Sequence, residues 1–104
     1  MKALFDQVSH QCSKLVTESY STSFSLATRM LSNEIRQDIY NIYGFVRFAD
    51  EIVDSFHEFD KPVLFERFER ALVDALEDKI SLNPILNSFQ ETVHRYNIDC
   101  EYIN

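Results

Sequence analysis

Apolar residues recur at helical spacing along nearly the whole chain. Leu4, Phe5, Val8, Cys12, Leu15 and Val16 predict a helix from Lys2 to about Glu18 with that stripe buried. The hydroxyl cluster Ser19-Tyr20-Ser21-Thr22-Ser23-Phe24-Ser25 competes with the backbone for hydrogen bonds. It predicts a break, then a cap for a short helix from Phe24 to Leu31. A long helix follows from Ser32 to Phe56, capped by Ser32 or Asn33 and with Glu34 favourably placed in its first turn. Asp60 ahead of Lys61-Pro62 marks a new start that runs to about Lys79. Its apolar face is Val63, Phe65, Phe68, Leu72 and Leu76, while Glu66, Arg67, Glu69, Arg70, Asp74 and Glu77 make a solvated face. Asn83-Pro84 opens a further helix to about Tyr96, with Ile85, Leu86, Phe89 and Val93 inward. Asn97 to Asn104 reads as a cap and the first turn of another helix. The expectation is a single α-helical domain over 1–104 that forms the N-terminal piece of something longer.

The long helix is the most informative. Ile35, Ile39, Ile42, Val46, Ala49 and Val53 form one apolar stripe, and Phe45, Phe48 and Ile52 lie on the far side. A helix apolar on most sides is usually interior. Between these faces, Tyr43, Arg47, Asp50, Asp54 and His57 fall within roughly ±40° of one line at about 100° per residue. Such a strip on an interior helix should face a cavity.

Composition narrows the class. One glycine and two prolines leave few breakers among strong helix formers, which predicts an all-α chain, an antiparallel helix bundle. The formal charge of −7 comes without a basic patch, so nucleic acid is not an expected partner. Cys12 and Cys100 are far apart, as packing residues in a reducing compartment are. With no signal peptide and no apolar run of membrane length, the expected location is cytoplasmic.

Asp50 and Asp54 stand one helical turn apart, about 6 Å along the axis. Two such carboxylates suit a hard divalent cation, and Mg²⁺ in particular is often held by one or two carboxylates plus substrate phosphates. Arg47 adds a fixed charge whose fork suits diphosphate oxygens, and the hydroxyls of Ser21, Ser23 and Tyr43 could donate to the same group. The permitted chemistry is departure of a diphosphate. The same spacing also describes an ordinary ladder of exposed ion pairs, and spacing alone leaves both readings open. Glu91-Thr92-Val93-His94 has the E-x-x-H spacing of di-iron bundles, but such a site needs two copies and only one is present. His10 and His57 have no ligand-like companions and read as surface or boundary residues.

Together, Tyr20-Ser21-Thr22-Ser23-Phe24 and Ile42-Tyr43-Gly44-Phe45-Val46-Arg47-Phe48-Ala49-Asp50-Glu51-Ile52-Val53-Asp54 resemble the N-terminal third of the squalene/phytoene synthases. The combination S-x-S-F, Y-x-x-x-R and D-x-x-x-D, in this order, is far more specific than any one part. The resemblance implies an isoprenoid-synthase fold, present here in part. It implies head-to-head condensation of two prenyl diphosphates, farnesyl or geranylgeranyl diphosphate, with loss of diphosphate. By the same likeness Asp50 and Asp54 would bind Mg²⁺, with Mn²⁺ as a substitute, and would form the catalytic set with Tyr43. Ser21, Ser23, Tyr43 and Arg47 would contact substrate, and Phe24 would line the cavity. A lipophilic product would place the protein near a membrane surface. Position 20 carries tyrosine where many relatives carry histidine, and no second aspartate-rich motif follows; Asp74 and Asp78 have the spacing but sit on a charged face. A one-step prenyl synthase or terpene cyclase would carry D-D-x-x-D, whereas Asp50 is followed by Glu51. The rival class is a non-enzymatic helical interaction module that covers its apolar faces by self-association.

Overall fold

The computed structural model describes residues 1–98, and the turn expected over 99–104 lies outside the described residues together with Cys100. Five helices follow one another: α1 (Lys2–Tyr20), α2 (Thr22–Arg29), α3 (Asn33–Asp54), α4 (Lys61–Asp78) and α5 (Pro84–Arg95). No strand occurs among the described residues, so the fold is an all-α bundle. α1, α3 and α5 pack on one another, α4 covers α5 and α3, and α2 lies against α1 and α3. α3 and α5 run antiparallel: Phe45 meets Phe89, Asn41 meets Thr92, and Asp38 meets Arg95.

Helix ends follow local chemistry. The Asp60 side chain accepts the Val63 N–H, and Asn83 accepts those of Ile85 and Leu86, each ahead of a proline in the first turn. α2 begins at Thr22 rather than Phe24, because the Ser21 hydroxyl takes the Phe24 N–H. Ser32 occupies the N-cap position of α3 without a side-chain bond, and its carbonyl accepts from Ile35 and Arg36 instead. Lys79 ends α4 in the left-handed region at φ 60°. Asn97, read from sequence as the cap of a new helix, closes α5. It adopts φ 53° while its N–H reaches the His94 carbonyl and that of Ile98 the Val93 carbonyl, the paired bonds of a Schellman turn.

The interior has two chemically different halves. One is apolar: Leu72, Ala75, Leu86, Phe89 and Val93 cluster with Phe45, Phe68, Ala71 and Leu76 around them. Phe45 stacks on Phe89 at 3.9 Å and on Phe68 at 5.7 Å, joining α3, α4 and α5. Of the positions that periodicity marks on α4 and α5, Phe68, Leu72, Leu76, Leu86, Phe89 and Val93 join this cluster. Ile85 is buried, Val63 half-buried and Phe65 exposed, while Ala71 and Ala75 are members that periodicity did not mark.

The other half overturns the expectation for α1 and α3. Leu4, Val8 and Leu15 are exposed, Leu15 by 62%, and the buried face of α1 is Ser9, Ser13 and Thr17. On α3 the stripe Ile35, Ile42, Val46 and Val53 is likewise exposed, while Asp38, Tyr40, Asn41 and Gly44 are buried. The reason is close approach. A Cβ on Gly44 would lie 3.4 Å from the Ser13 Cα, so only small side chains fit where α1 meets α3. The interior helix is therefore α5, on which eight residues are buried, among them Asn87, Ser88, Gln90 and Thr92.

Asn87 and Thr92 anchor α5 to other elements, while Gln90 donates to Asn87 within the helix and the Ser88 hydroxyl has no partner among the described residues. Asn87 donates to the Asp6 carboxylate at 2.9 Å and to the Ser9 hydroxyl at 3.2 Å, and accepts the Ser81 N–H at 3.2 Å. A second chain of donors runs from Gln37 to the Asn41 side-chain Oδ1 at 2.8 Å, from the Asn41 side-chain amide to the Thr92 hydroxyl at 3.0 Å, and from Thr92 to Asp38 at 2.9 Å. Asp38, only 4% exposed, also accepts from Arg95 at 3.2 Å and from the Tyr96 hydroxyl at 2.8 Å. That bond to Asp38, with lesser help from burial, raises the Tyr96 pKa above its usual value.

Thr92→Val keeps the shape of the side chain but strips Asp38 of one donor and Asn41 of its acceptor. The expected cost is roughly 1–3 kcal/mol, read as a lower urea midpoint with an unchanged slope. Lys79→Gly should act oppositely, raising stability by about 0.5–1 kcal/mol, because glycine adopts the left-handed region without strain.

Candidate functional site

Ser21 builds one side of the site. In extended conformation, φ −148° and ψ 99°, it ends α1 through its N–H to the Thr17 carbonyl and caps α2 through its hydroxyl. The Ser21 oxygen accepts the Phe24 N–H at 3.1 Å, which leaves its own proton free to donate. This turn brings the ring of Phe24 onto that of Tyr43, stacked at 4.8 Å and 23°. It also sets the Tyr20 ring, at the end of α1, beneath the Arg47 guanidinium, with 4.6 Å between Cζ and the ring centroid. Ser23, in the first turn of α2, is exposed.

The fold thus joins the S-x-S-F turn to the Tyr43 and Arg47 section of α3. Asp50 and Asp54 lie farther along the same helix. Both are exposed, so within this chain the strip lies on open surface and not against the cavity expected of an interior helix. Its neighbours explain this: α3 spends its buried side on α1 and α5 through Gly44, Asn41 and Asp38, which turns the strip outward.

The ion-pair ladder that spacing allowed takes a particular form. Arg47 Nη2 bonds Glu51 Oε2 at 2.6 Å, and the other Glu51 oxygen accepts the Ser55 hydroxyl at 2.7 Å. Among the described residues, neither Asp50 nor Asp54 makes a hydrogen bond or an ion pair, and no third metal-ligating side chain joins them. The two carboxylates are uncommitted, while the arginine beside them is held. The Ser55 bond first, and Arg47 second, depress the Glu51 pKa below its ordinary 4.5, and the bond to Glu51 raises that of Arg47. Neither Glu51 nor Ser55 carried a role in the sequence reading. Their one trace in the sequence is the i, i+4 run Arg47, Glu51, Ser55, which does not separate Glu51 from Asp50 at i, i+3.

The remaining motif is structural. Glu91 pairs with His10 at 2.8 Å and with Arg95 at 3.5 Å, and His94 meets the Leu76 carbonyl at 3.0 Å. The E-x-x-H residues therefore stitch α5 to α1 and α4, and His10 has a partner that the sequence did not disclose.

Chemically, the strip offers two free hard oxygen donors, one oriented guanidinium and a group of hydroxyls on the facing turn. That set can receive a cation and a polyanion together.

A testable consequence concerns Glu51. Its carboxyl resonance should titrate below 4.5, and Ser55→Ala should move it back up toward that value. Because the folded value is the lower one, the stability carried by this contact is complete above the unfolded pKa and is lost as pH falls through the folded one.

Residues 17–104 match the family model described as squalene/phytoene synthase. Among curated relatives, the chain is 27% identical over 93 residues to "Phytoene synthase 2, chloroplastic" of Oryza sativa subsp. japonica, an alignment covering 88% of this chain. It is 26% identical over 102 residues to "Phytoene synthase 1, chloroplastic" of Zea mays, covering 97% of this chain. In both cases the chain spans 23% of the relative's length. No solved structure matches. None of the described helices is long and apolar enough to cross a membrane.

Proposed function

The chain belongs to the squalene/phytoene synthase family, and on that footing we propose that it forms the diphosphate-binding wall of a prenyltransferase. The reaction is head-to-head condensation of two prenyl diphosphates with loss of diphosphate. The observation that carries this reading is the pair of uncommitted carboxylates, Asp50 and Asp54, on the same strip as a held arginine, with the Tyr43 and Arg47 section of that strip packed against the S-x-S-F turn.

The residues fit Mg²⁺ by their chemistry. Both are hard oxygen donors one helical turn apart, exposed, and free of competing partners among the described residues. When bound, the metal would neutralise charge on the departing diphosphate. Arg47 would take diphosphate oxygens with the in-plane N–H groups that Glu51 leaves free, while Tyr20 supports one face of the guanidinium, holding the leaving group in one orientation. Ser21 and Ser23 would donate from the facing turn, and the Tyr43 hydroxyl would join them. Phe24, stacked on Tyr43 and still partly exposed, would meet the first carbons of the prenyl chain. Two carboxylates and one arginine serve one diphosphate, so a second substrate needs groups beyond those described.

The exposed apolar faces of α1 and α3 favour a second reading, an interaction module that self-associates. Mg²⁺ and inorganic diphosphate titrated into the 104-residue chain separate the two. The enzyme reading expects saturable binding that Asp50→Asn and Asp54→Asn each weaken by at least about tenfold. A dimer in sedimentation that is indifferent to both ligands would instead favour the module. The chain by itself is expected to show no turnover, while a longer protein containing it should lose condensation activity with either substitution. Full rates in both variants would remove the catalytic assignment.

A further inference from the structure

Arg47 has a choice of partners. Asp50 lies three residues on and Glu51 four, both within the reach that helix geometry gives an arginine. The contact formed is with Glu51, at 2.6 Å, and it is not made by Glu51 alone. Ser55, the residue that ends α3, donates its hydroxyl to the second Glu51 oxygen at 2.7 Å and its N–H to the Glu51 carbonyl at 2.9 Å. From the other side the Tyr20 ring supports the guanidinium plane at 4.6 Å. Arg47 and Glu51 are also the better covered members of this strip, with 24% and 21% of their side chains accessible, while Asp50 and Asp54 stand exposed.

We infer that Glu51, braced by Ser55 and Tyr20, is a positioning residue that holds the Arg47 guanidinium away from Asp50 and Asp54, so that both carboxylates stay free for a divalent cation. The inference rests on the metal reading of Asp50 and Asp54 given above. An arginine paired with a metal-ligating carboxylate competes with the metal for the same oxygens and cancels the charge that attracts it. Assigning the arginine to a third carboxylate one residue away removes that competition while keeping the guanidinium within reach of an incoming anion. Glu51 therefore separates two opposite charges that the site needs side by side and unpaired.

The test uses the 104-residue chain and Mn²⁺ alone, whose free ion is counted by its electron paramagnetic resonance signal. Arg47 then acts on the metal only as a competitor for the carboxylates and not as a ligand of an anion. E51Q should raise the Mn²⁺ Kd by about threefold to fivefold, the scale of one partly exposed ion pair. E51D keeps the charge but shortens the reach, and it should weaken binding as E51Q does. The double variant R47Q/E51Q, which removes the competitor together with its clamp, should return the Kd to within about twofold of the unmodified chain. Binding left unchanged by E51Q, or restored fully in E51D, overturns the clamp while the metal site stands. A double variant as weak as E51Q shows Glu51 to be a ligand or a bare charge and also overturns it. No Mn²⁺ binding by the unmodified chain removes the metal reading itself, and this inference with it.

Discussion

On a helix enclosed on nearly every side, the polar groups that do pair decide how the neighbouring helices are turned, because losing such a bond costs as much as several methylenes gain. α5 is that helix. Asn87 and Thr92 pair with groups on α1, α3 and the α4–α5 connection, and those bonds fix how the surrounding helices are turned. Once α1 presents Ser9 and Ser13 inward and α3 presents Asp38, Asn41 and Gly44, their leucine, isoleucine and valine stripes have nowhere to go but out. The outward strip of α3 bearing Asp50 and Asp54 follows from the same rotation. The placement of the candidate site is thus a consequence of polar bonds on the opposite side of the helix.

Much of the fold was legible because its ends are written locally. Asp60 before Lys61-Pro62 and Asn83 before Pro84 state helix starts within three residues, and the structure uses each side chain as the cap. The apolar face of α5 was legible for the same reason, since Leu86, Phe89 and Val93 bury as their spacing requires. The inner faces of α1 and α3 were not. Reading apolar as inward assumes that large side chains set the helix separation, but at Ser13 and Gly44 the backbones approach too closely for them. The partners that make buried Asp38, Asn41 and Asn87 tolerable lie 51 to 81 residues away along the chain, as in Asn41 with Thr92 and Asn87 with Asp6. No window of sequence contains both halves of such a bond.

The site divides in the same way. Its members could be named from motifs, since Ser21, Phe24, Tyr43 and Arg47 do come together through the Ser21 turn and two ring contacts. Which acid receives the arginine could not be named, because Asp50 and Glu51 are equivalent by spacing. That choice belongs to Ser55 at the helix end and Tyr20 on another helix, both of which favour Glu51.

The double use of Ser21 has a consequence for how this chain can vary. α1 and α2 share a single capping residue, so no slack exists between them. One inserted residue there would rotate Phe24 by about 100° relative to Tyr20 and lift one of the two rings off α3. The connections over 55–60 and 79–83 carry no such double duty. Length changes among natural variants should therefore collect in those two loops and spare the Tyr20–Phe24 junction, whose residue count is itself part of the site.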